Sequence, residues 1–218
     1  FIPFSLLVSK PIDEKPIRNM CTNNNTDNTN NKNTNNNGQL SLFGDHAISE
    51  SEAVEPAVTL FQPELNTQII DTQKKLQQLV ATLQHHTDPQ KPVAWDTETT
   101  SLETHLAKLV GLGCCWGDRD TDIAYIPLSH TTGTQLSQQL VLETLQPILE
   151  SDRYPKVFQN TKFDRLVLYH QGINLAGVVF DTMLASYVLD PGRRSHGLDL
   201  LALEFLGHTM TAYEQLVG

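Results

Sequence analysis

The sequence has little cysteine, and its cysteines are badly placed for pairing. Its three cysteines are Cys21, Cys114 and Cys115, of which the last two are adjacent within an apolar run. An odd number of cysteines with this spacing excludes a disulfide-based framework, and we expect a chain from the reducing cytoplasm. The eight histidines do not show zinc-binding spacing with each other or with cysteine, so we do not expect a zinc site.

Positive charge is also scarce. The chain carries 15 Lys and Arg against 25 Asp and Glu, which gives a formal net charge of −10. A protein that binds duplexes without sequence preference relies on Lys and Arg to neutralise phosphates, so this class is excluded. A metal-dependent nuclease is still compatible with the charge, because bound cations supply positive charge at the phosphate.

Long hydrophobic runs are lacking as well. The apolar opening Phe1–Val8 is short, contains Pro3, and has neither an initial Met nor a preceding basic segment. It therefore predicts neither a signal peptide nor a membrane span, and we expect no membrane partner. A chain that begins with Phe1 is also expected to be cut from a longer protein.

The N-terminal part has the composition of a linker. Ten of the sixteen residues from Thr22 to Asn37 are Asn. Such a tract offers almost no apolar surface to offset the entropy lost on ordering, so we expect residues 1–62 to form a disordered, low-complexity linker. An Asn-rich self-associating segment is the alternative interpretation. A folded domain is expected over residues 63–218.

From Thr67 onwards the hydrophobic pattern predicts an α/β domain. Three strands in succession indicate an antiparallel meander, and the later alternation of strands and helices indicates a mixed β-sheet flanked by helices. The expected strands are 67–70, 93–97, 109–116, 123–128, 156–159 and 178–181. Five helices are expected: one from about Asp71 to Asp88-Pro89, one over 136–149, one that carries Asp164, one through 187–189, and one over 198–206.

Two carboxylates stand two residues apart at the end of one predicted strand. Side chains alternate along a strand, so Asp96 and Glu98 are expected to share a face. Like charges held together repel unless a cation lies between them, and hard oxygen ligands suit Mg²⁺ or Mn²⁺. The alternative is that both are ordinary polar residues where the strand leaves the core.

A third carboxylate follows downstream, where a strand turns into a helix at Asn160–Asp164. Backbone N–H groups at such a place can face a phosphate, and Asn160 could cap the helix. The alternative makes Asn160 an ordinary cap, Lys162 a solvated side chain, and Asp164 an acid that interacts favourably with the helix dipole.

Together, Asp96–Leu102 and Gln159–Asp164 resemble the first two exonuclease motifs of the proofreading domain of bacterial DNA polymerase I. The resemblance covers about residues 67–218. It implies a ribonuclease-H-like mixed sheet and 3′–5′ exonuclease activity in a bacterial cytosol. Further similar stretches are Leu109–Leu112, Ala124–Pro127, Phe180–Leu184 and Ser186–Tyr187.

The resemblance also implies roles for individual residues. Asp96, Glu98 and Asp164 would be the catalytic carboxylates that hold two Mg²⁺ or Mn²⁺ ions, with Asp96 bridging both ions. The partner would be the single-stranded 3′ end of DNA. The residues expected to bind it are Thr97, Thr99, Leu102, Asn160, Phe163 and Tyr213, with Leu102 as an apolar wedge and Tyr213 stacking on a base. Ordinary packing is the alternative for Leu102, Phe163 and Tyr213.

One feature of the family is missing from the sequence. A third motif, Tyr-x-x-x-Asp, does not occur before Gly218. We therefore expect a C-terminally incomplete domain that is poorly active alone, and a polymerase domain in the parent chain. Two other functions fit the same residues, namely a non-catalytic exonuclease-like scaffold and an RNase D-type 3′–5′ exoribonuclease.

Overall fold

The computed structural model describes residues 66–210, which contain six strands and five helices. The strands are β1 (Gln68–Ile69), β2 (Val93–Thr99), β3 (Leu109–Cys115), β4 (Ile123–Pro127), β5 (Lys156–Phe158) and β6 (Val178–Asp181). The helices are α1 (Gln73–Leu83), α2 (Gln138–Leu149), α3 (Thr161–His170), α4 (Thr182–Leu189) and α5 (Leu198–Leu206). The predicted linker, residues 1–62, and Tyr213 lie outside the described residues.

The strands form one mixed sheet with the order β1-β4-β3-β2-β5-β6. Strands β2, β3 and β4 pair antiparallel as a meander, whereas β5 pairs parallel with both β2 and β6, and β1 pairs parallel with β4. The predicted fold class, an α/β fold with a mixed sheet flanked by helices, is confirmed.

The helix ends follow capping rules with one departure from expectation. Thr72 caps α1 by accepting a hydrogen bond from the backbone N–H of Lys75, and Ser137 caps α2 in the same way through Leu140. Helix α1 ends at Leu83, ahead of the expected stop at Asp88-Pro89. The reason is local, because the backbone N–H groups of His85 and His86 bond three residues back, to the carbonyls of Thr82 and Leu83, and so end the α-helical pattern. Asp88 closes a separate turn by accepting a hydrogen bond from the N–H of Gln90.

The two faces of the sheet are unequal. One face carries the main core, to which β2 contributes Val93 and Trp95 together with side chains from α1, α2 and α3. The other face carries a small cluster of four buried residues, with Leu198 of α5 packed against it. These four are Ala94, Cys115, Ile123 and Val157. Alternation along β2 puts Asp96 and Glu98 on the face of Ala94, beyond the edge of this small cluster.

Helix length bears on the membrane question for the described part of the chain. Between residues 66 and 210, every helix is too short or too polar to cross a bilayer.

Candidate active site

Asp96 and Glu98 lie on the central strand β2, where the register brings them opposite two glycines of β3. Asp96 pairs with Gly113 and Glu98 with Gly111. Because neither glycine carries a side chain, the neighbouring strand does not cover the two carboxylates. Asp96 is exposed and Glu98 half-buried. The pairing register shifts between Glu98 and Thr99, so the regular ladder is interrupted directly after the acidic pair.

Asp164 reaches the same strand from the first turn of α3. It is only 2% exposed. Its Oδ1 accepts hydrogen bonds from the backbone N–H of Thr97 at 3.1 Å and from the Thr97 hydroxyl at 2.8 Å. Strand β5 pairs with β2 only at Val93 and Ala94. Beyond Ala94 the backbone of β2 has no partner strand on that side, and Asp164 satisfies the N–H of Thr97 instead.

The surroundings raise the pKa of all three carboxyl groups and so disfavour their charged forms. Burial raises the pKa of Asp164 to about 7, and the charge of Asp96 adds to the shift. Crowding by protein atoms raises the pKa of Asp96 to about 6 although the residue is reachable by solvent, and the charge of Glu98 contributes next. Burial also raises the pKa of Glu98. The repulsion links Glu98 to Asp96 and Asp96 to Asp164, so a cation placed between them would stabilise all three.

The donor set suits a divalent cation. Three carboxylates from two elements provide hard oxygen ligands, and within residues 66–210 none of them forms an ion pair with a basic side chain. In this part of the chain no three acidic, His or Cys side chains converge closely enough to enclose an ion as they stand. A bound cation would therefore draw the carboxylates towards one another.

The turn before α3 has an unusual backbone. Asn160 adopts a left-handed conformation with φ 61° and ψ 52°, and within residues 66–210 it is the sole non-glycine residue with positive φ. Asn160 occupies the N-cap position, but its side chain makes no capping hydrogen bond. The capping role considered from the sequence is therefore wrong. The backbone N–H groups of Asn160 and Thr161 are instead capped by a side chain from another element.

Asp181 supplies that cap, and sequence reasoning missed it. Its carboxylate accepts hydrogen bonds from the backbone N–H of Asn160 at 3.2 Å and of Thr161 at 2.8 Å. It also caps its own helix α4 through the N–H groups of Met183 and Leu184. One carboxylate thus holds the starts of two helices together. The available signal was an Asp directly before an apolar helical run, which is a typical N-cap pattern.

The other predicted residues surround the carboxylates at different depths. Thr99 is half-buried, and its hydroxyl donates to the carbonyl of Ser101 at 3.0 Å. Leu102 is 90% exposed in the loop after β2. Phe163 is partly buried against the main core. Thr97 is buried and bonded to Asp164. The structure does not test the binding of DNA by these residues, which stays a prediction.

The chain is similar to known nucleases and polymerases. A family model described as 3′-5′ exonuclease matches residues 67–218. DNA polymerase I of Synechocystis sp. is 48% identical over 179 residues, which are 82% of this chain and 18% of that protein. DNA polymerase I of Pseudomonas aeruginosa is 40% identical over 131 residues, or 58% of this chain and 14% of that protein. The chain therefore spans less than a fifth of these two relatives.

Solved structures show the same fold. The POL domain of Pol1 from M. smegmatis, in complex with DNA primer-template and dNTP, matches with a TM-score of 0.50 and 27% identity over 62% of this chain and 22% of that chain. RNase D of Trypanosoma brucei matches with a TM-score of 0.55 over 67% of this chain and 49% of that chain, at 19% identity. At that level of identity, the second match speaks for the fold alone.

Proposed function

This chain belongs to the 3′–5′ exonuclease family found in DNA polymerase I, and on that premise we propose that it removes the 3′-terminal nucleotide of single-stranded DNA during replication and repair. The polymerase itself would lie in the remainder of a longer chain, as it does in the relatives. A cytoplasmic location belongs to the same proposal.

The observation that carries the proposal is the placement of three carboxyl groups next to Thr97. Asp96 and Glu98 share one face of β2. Asp164 is held at the same point of the strand by two hydrogen bonds from Thr97. The raised pKa values of Asp96 and Asp164 support the proposal, because burial and mutual repulsion disfavour the charged form of both carboxyl groups. Sites that disfavour their own charge in this way are typical of function rather than of stability.

Asp96, Glu98 and Asp164 would hold Mg²⁺ or Mn²⁺, two ions in the scheme that the family resemblance implies. Such ions, when bound, activate a water molecule and stabilise the leaving oxygen of a phosphodiester. The protein's own contribution is to fix the donors. Asp96 is coupled electrostatically to both other carboxylates, Thr97 fixes the side chain of Asp164, and the strand fixes the spacing of Asp96 and Glu98.

The terminal nucleotide would bind beside this set. Leu102 projects from the loop after β2 with 90% of its surface exposed, which suits an apolar wedge against a base. Asn160 and Phe163 lie at the start of α3, within about one turn of Asp164, and Thr99 lies next to Glu98 in the chain. These four residues would contact the 3′ end, since they flank the carboxylates on both contributing elements.

The test is the substitution Asp96→Ala in the full-length protein encoded by the gene that carries this sequence. The substrate is a 5′-labelled single-stranded DNA oligonucleotide with Mg²⁺. We expect trimming to fall by at least about 100-fold, because metal-held charge contributes several kcal/mol to such transition states. Asp118→Ala, at an exposed acid of the β3–β4 connection, is the matched control and should trim normally. Undiminished trimming by Asp96→Ala would contradict the proposal.

Two further measurements separate the alternative functions. A non-catalytic scaffold would show no Mn²⁺ binding that depends on Asp96, Glu98 or Asp164, so calorimetric titration distinguishes it from the enzyme. An RNase D-type exoribonuclease would prefer RNA over a DNA oligonucleotide of the same sequence. Comparable rates, or a preference for DNA, support the proposal made here.

A further inference from the structure

The two glycines opposite the acidic pair leave a space that another residue fills. In the antiparallel meander, Glu98 of β2 pairs with Gly111 of β3, and Gly111 pairs with Pro127 of β4. One step along, Asp96 pairs with Gly113, and Gly113 pairs with Tyr125. Residues that pair across neighbouring strands point to the same face. Tyr125 therefore lies on the face of the carboxylates, separated from them only by glycine.

The Tyr125 ring packs against the backbone of Gly111. A Cβ atom added at Gly111 would lie 2.7 Å from Cε2 of Tyr125 and still closer to Cζ and to the phenol oxygen. The end of the ring therefore rests on the backbone of Gly111, directly opposite Glu98. The electrostatics agree with this placement, because burial raises the pKa of Tyr125 to about 12 and the charge of Glu98 adds to the shift.

His130 contacts the phenol oxygen of Tyr125. Its Nε2 lies 2.7 Å from the phenol oxygen of Tyr125, and the two rings meet edge to face with centroids 5.6 Å apart. Gln135 fixes His130 in turn. The backbone N–H of His130 donates to Oε1 of Gln135 at 2.9 Å, and Nε2 of Gln135 donates to the His130 carbonyl at 2.8 Å. These two hydrogen bonds fix the loop that places the His130 imidazole near Glu98.

We propose that Tyr125 and His130 are a positioning pair for Glu98, a role that rests on the proposed function of the site. With a proton on Nε2 of His130, the imidazole donates to the phenol oxygen. In this arrangement the phenol, packed on Gly111 opposite Glu98, would form a hydrogen bond with the Glu98 carboxylate or with a water molecule that Glu98 holds. The pair confines a half-exposed side chain that would otherwise choose among several rotamers, and so fixes one ligand of the cation site.

The experiment uses four variants in the full-length protein. Tyr125→Phe removes one oxygen atom. Gly111→Ala keeps the phenol but displaces the ring from its seat. His130→Ala removes the support, and His130→Gln retains a group able to form a hydrogen bond with the phenol. Tyr169→Phe is the matched control, because Tyr169 is an exposed tyrosine of α3 beside another histidine, His170.

The readouts are Mn²⁺ binding by calorimetry, kcat and KM for a single-stranded DNA oligonucleotide, and the midpoint of thermal unfolding. We expect Tyr125→Phe, Gly111→Ala and His130→Ala each to weaken Mn²⁺ binding and lower kcat by about 10-fold, as changes next to metal ligands usually do. KM should stay within about twofold and the unfolding midpoint of Tyr125→Phe should not move. His130→Gln should recover part of the loss, and Tyr169→Phe should match the unsubstituted protein.

Several results would overturn the proposed role of Tyr125 and His130. The first is wild-type Mn²⁺ binding and kcat in Tyr125→Phe. The second is a loss in Tyr125→Phe with none in a folded Gly111→Ala, because the position of the ring would then be irrelevant. The third is a loss in Tyr125→Phe with none in His130→Ala. If the chain trims no DNA at all, the proposed function fails, but the Mn²⁺ titration of the same variants still decides whether Tyr125 and His130 support Glu98.

Discussion

Thr97 donates twice to a single carboxylate oxygen of Asp164, from its hydroxyl at 2.8 Å and from its backbone N–H at 3.1 Å. Thr97 stands between Asp96 and Glu98 in the chain, but its side chain points to the opposite face of β2. Three consecutive residues therefore supply two carboxylates on one face and the anchor for a third on the other. The spacing of all three carboxyl groups depends on this short stretch of strand.

The anchor can be tested by Thr97→Val, which keeps the branched shape and removes the hydroxyl. We expect the free energy of unfolding to fall by about 1–3 kcal/mol, because a buried acceptor loses one of its donors. Thr97→Ser retains the hydroxyl and is the control. Chemical denaturation of the 218-residue chain measures the difference. Equal stability of the Val and Ser variants would show that the hydroxyl does not hold Asp164.

The stability of the metal-free protein should depend on pH through Asp164. Its pKa is about 7 in the folded state against an ordinary value of 3.8. Between these values the folded chain keeps a proton that the unfolded chain has released, so stability falls as pH rises from about 4 to about 7. Three pKa units correspond to about 4 kcal/mol as an upper limit.

Asp164→Asn isolates this effect, because the amide oxygen can still accept from Thr97 but does not titrate. Relative to the unsubstituted chain with EDTA present, the variant should gain up to about 4 kcal/mol at pH 8 and nothing at pH 4. Added Mg²⁺ should stabilise only the unsubstituted chain at pH 8. A stability difference that is constant from pH 4 to pH 8 would contradict the assignment of the elevated pKa to Asp164.

Asp181 should matter for stability out of proportion to its place at a strand end. Asp181→Ala leaves the first N–H groups of both α3 and α4 without their acceptor, and each lost cap costs about 0.5–2 kcal/mol. We expect a combined loss of about 2–3 kcal/mol by chemical denaturation. Asp181→Ser can cap α4 but is too short to serve both helices, and should lose about half as much. A loss below about 0.5 kcal/mol in the Ala variant would rule out the double cap.

Asn160 can be divided into its backbone and side-chain roles. Asn160→Gly suits the left-handed backbone and should unfold at the same denaturant concentration as the unsubstituted chain, whereas Asn160→Ala should lose about 1 kcal/mol. If the side chain also contacts DNA, the Gly variant should raise KM for a single-stranded oligonucleotide without loss of stability. An Ala variant as stable as the Gly variant would show that the turn is not strained.

Sequence patterns predicted most of the fold because the elements of this domain are locally encoded. Short, largely apolar runs mark β2 to β4, and apolar residues recur with the period of a helix in α1 and α2, so most elements are predicted within a few residues of their observed bounds. Helix α1 ends earlier than predicted, because hydrogen bonds from the N–H groups of His85 and His86 to residues three positions back end the helix after Leu83. That Asp96 and Glu98 share one face of β2 also follows from strand periodicity alone.

The contacts that hold the carboxylates in place cannot be predicted from local sequence patterns. Thr97 and Asp164 are 67 residues apart, and Asp181 lies 20 residues from Thr161. The packing of Tyr125 on Gly111 depends on the register of β3 with β4. Local periodicity carries no information on which residues of distant elements meet. For this reason the carboxylates were recognisable in the sequence and the residues that hold them were not.

The sheet order also sets an order of events in folding. Strands β2, β3 and β4 pair with their neighbours in sequence, so the meander closes only short loops and is expected to form early. Strand β5 joins β2 only across the long connection that contains α2, and α3 follows it. Asp96 and Glu98 are therefore in place while Asp164 is still remote. We therefore expect the site to be completed after the meander has formed, so that a partly folded chain would carry two of its carboxylates without the third.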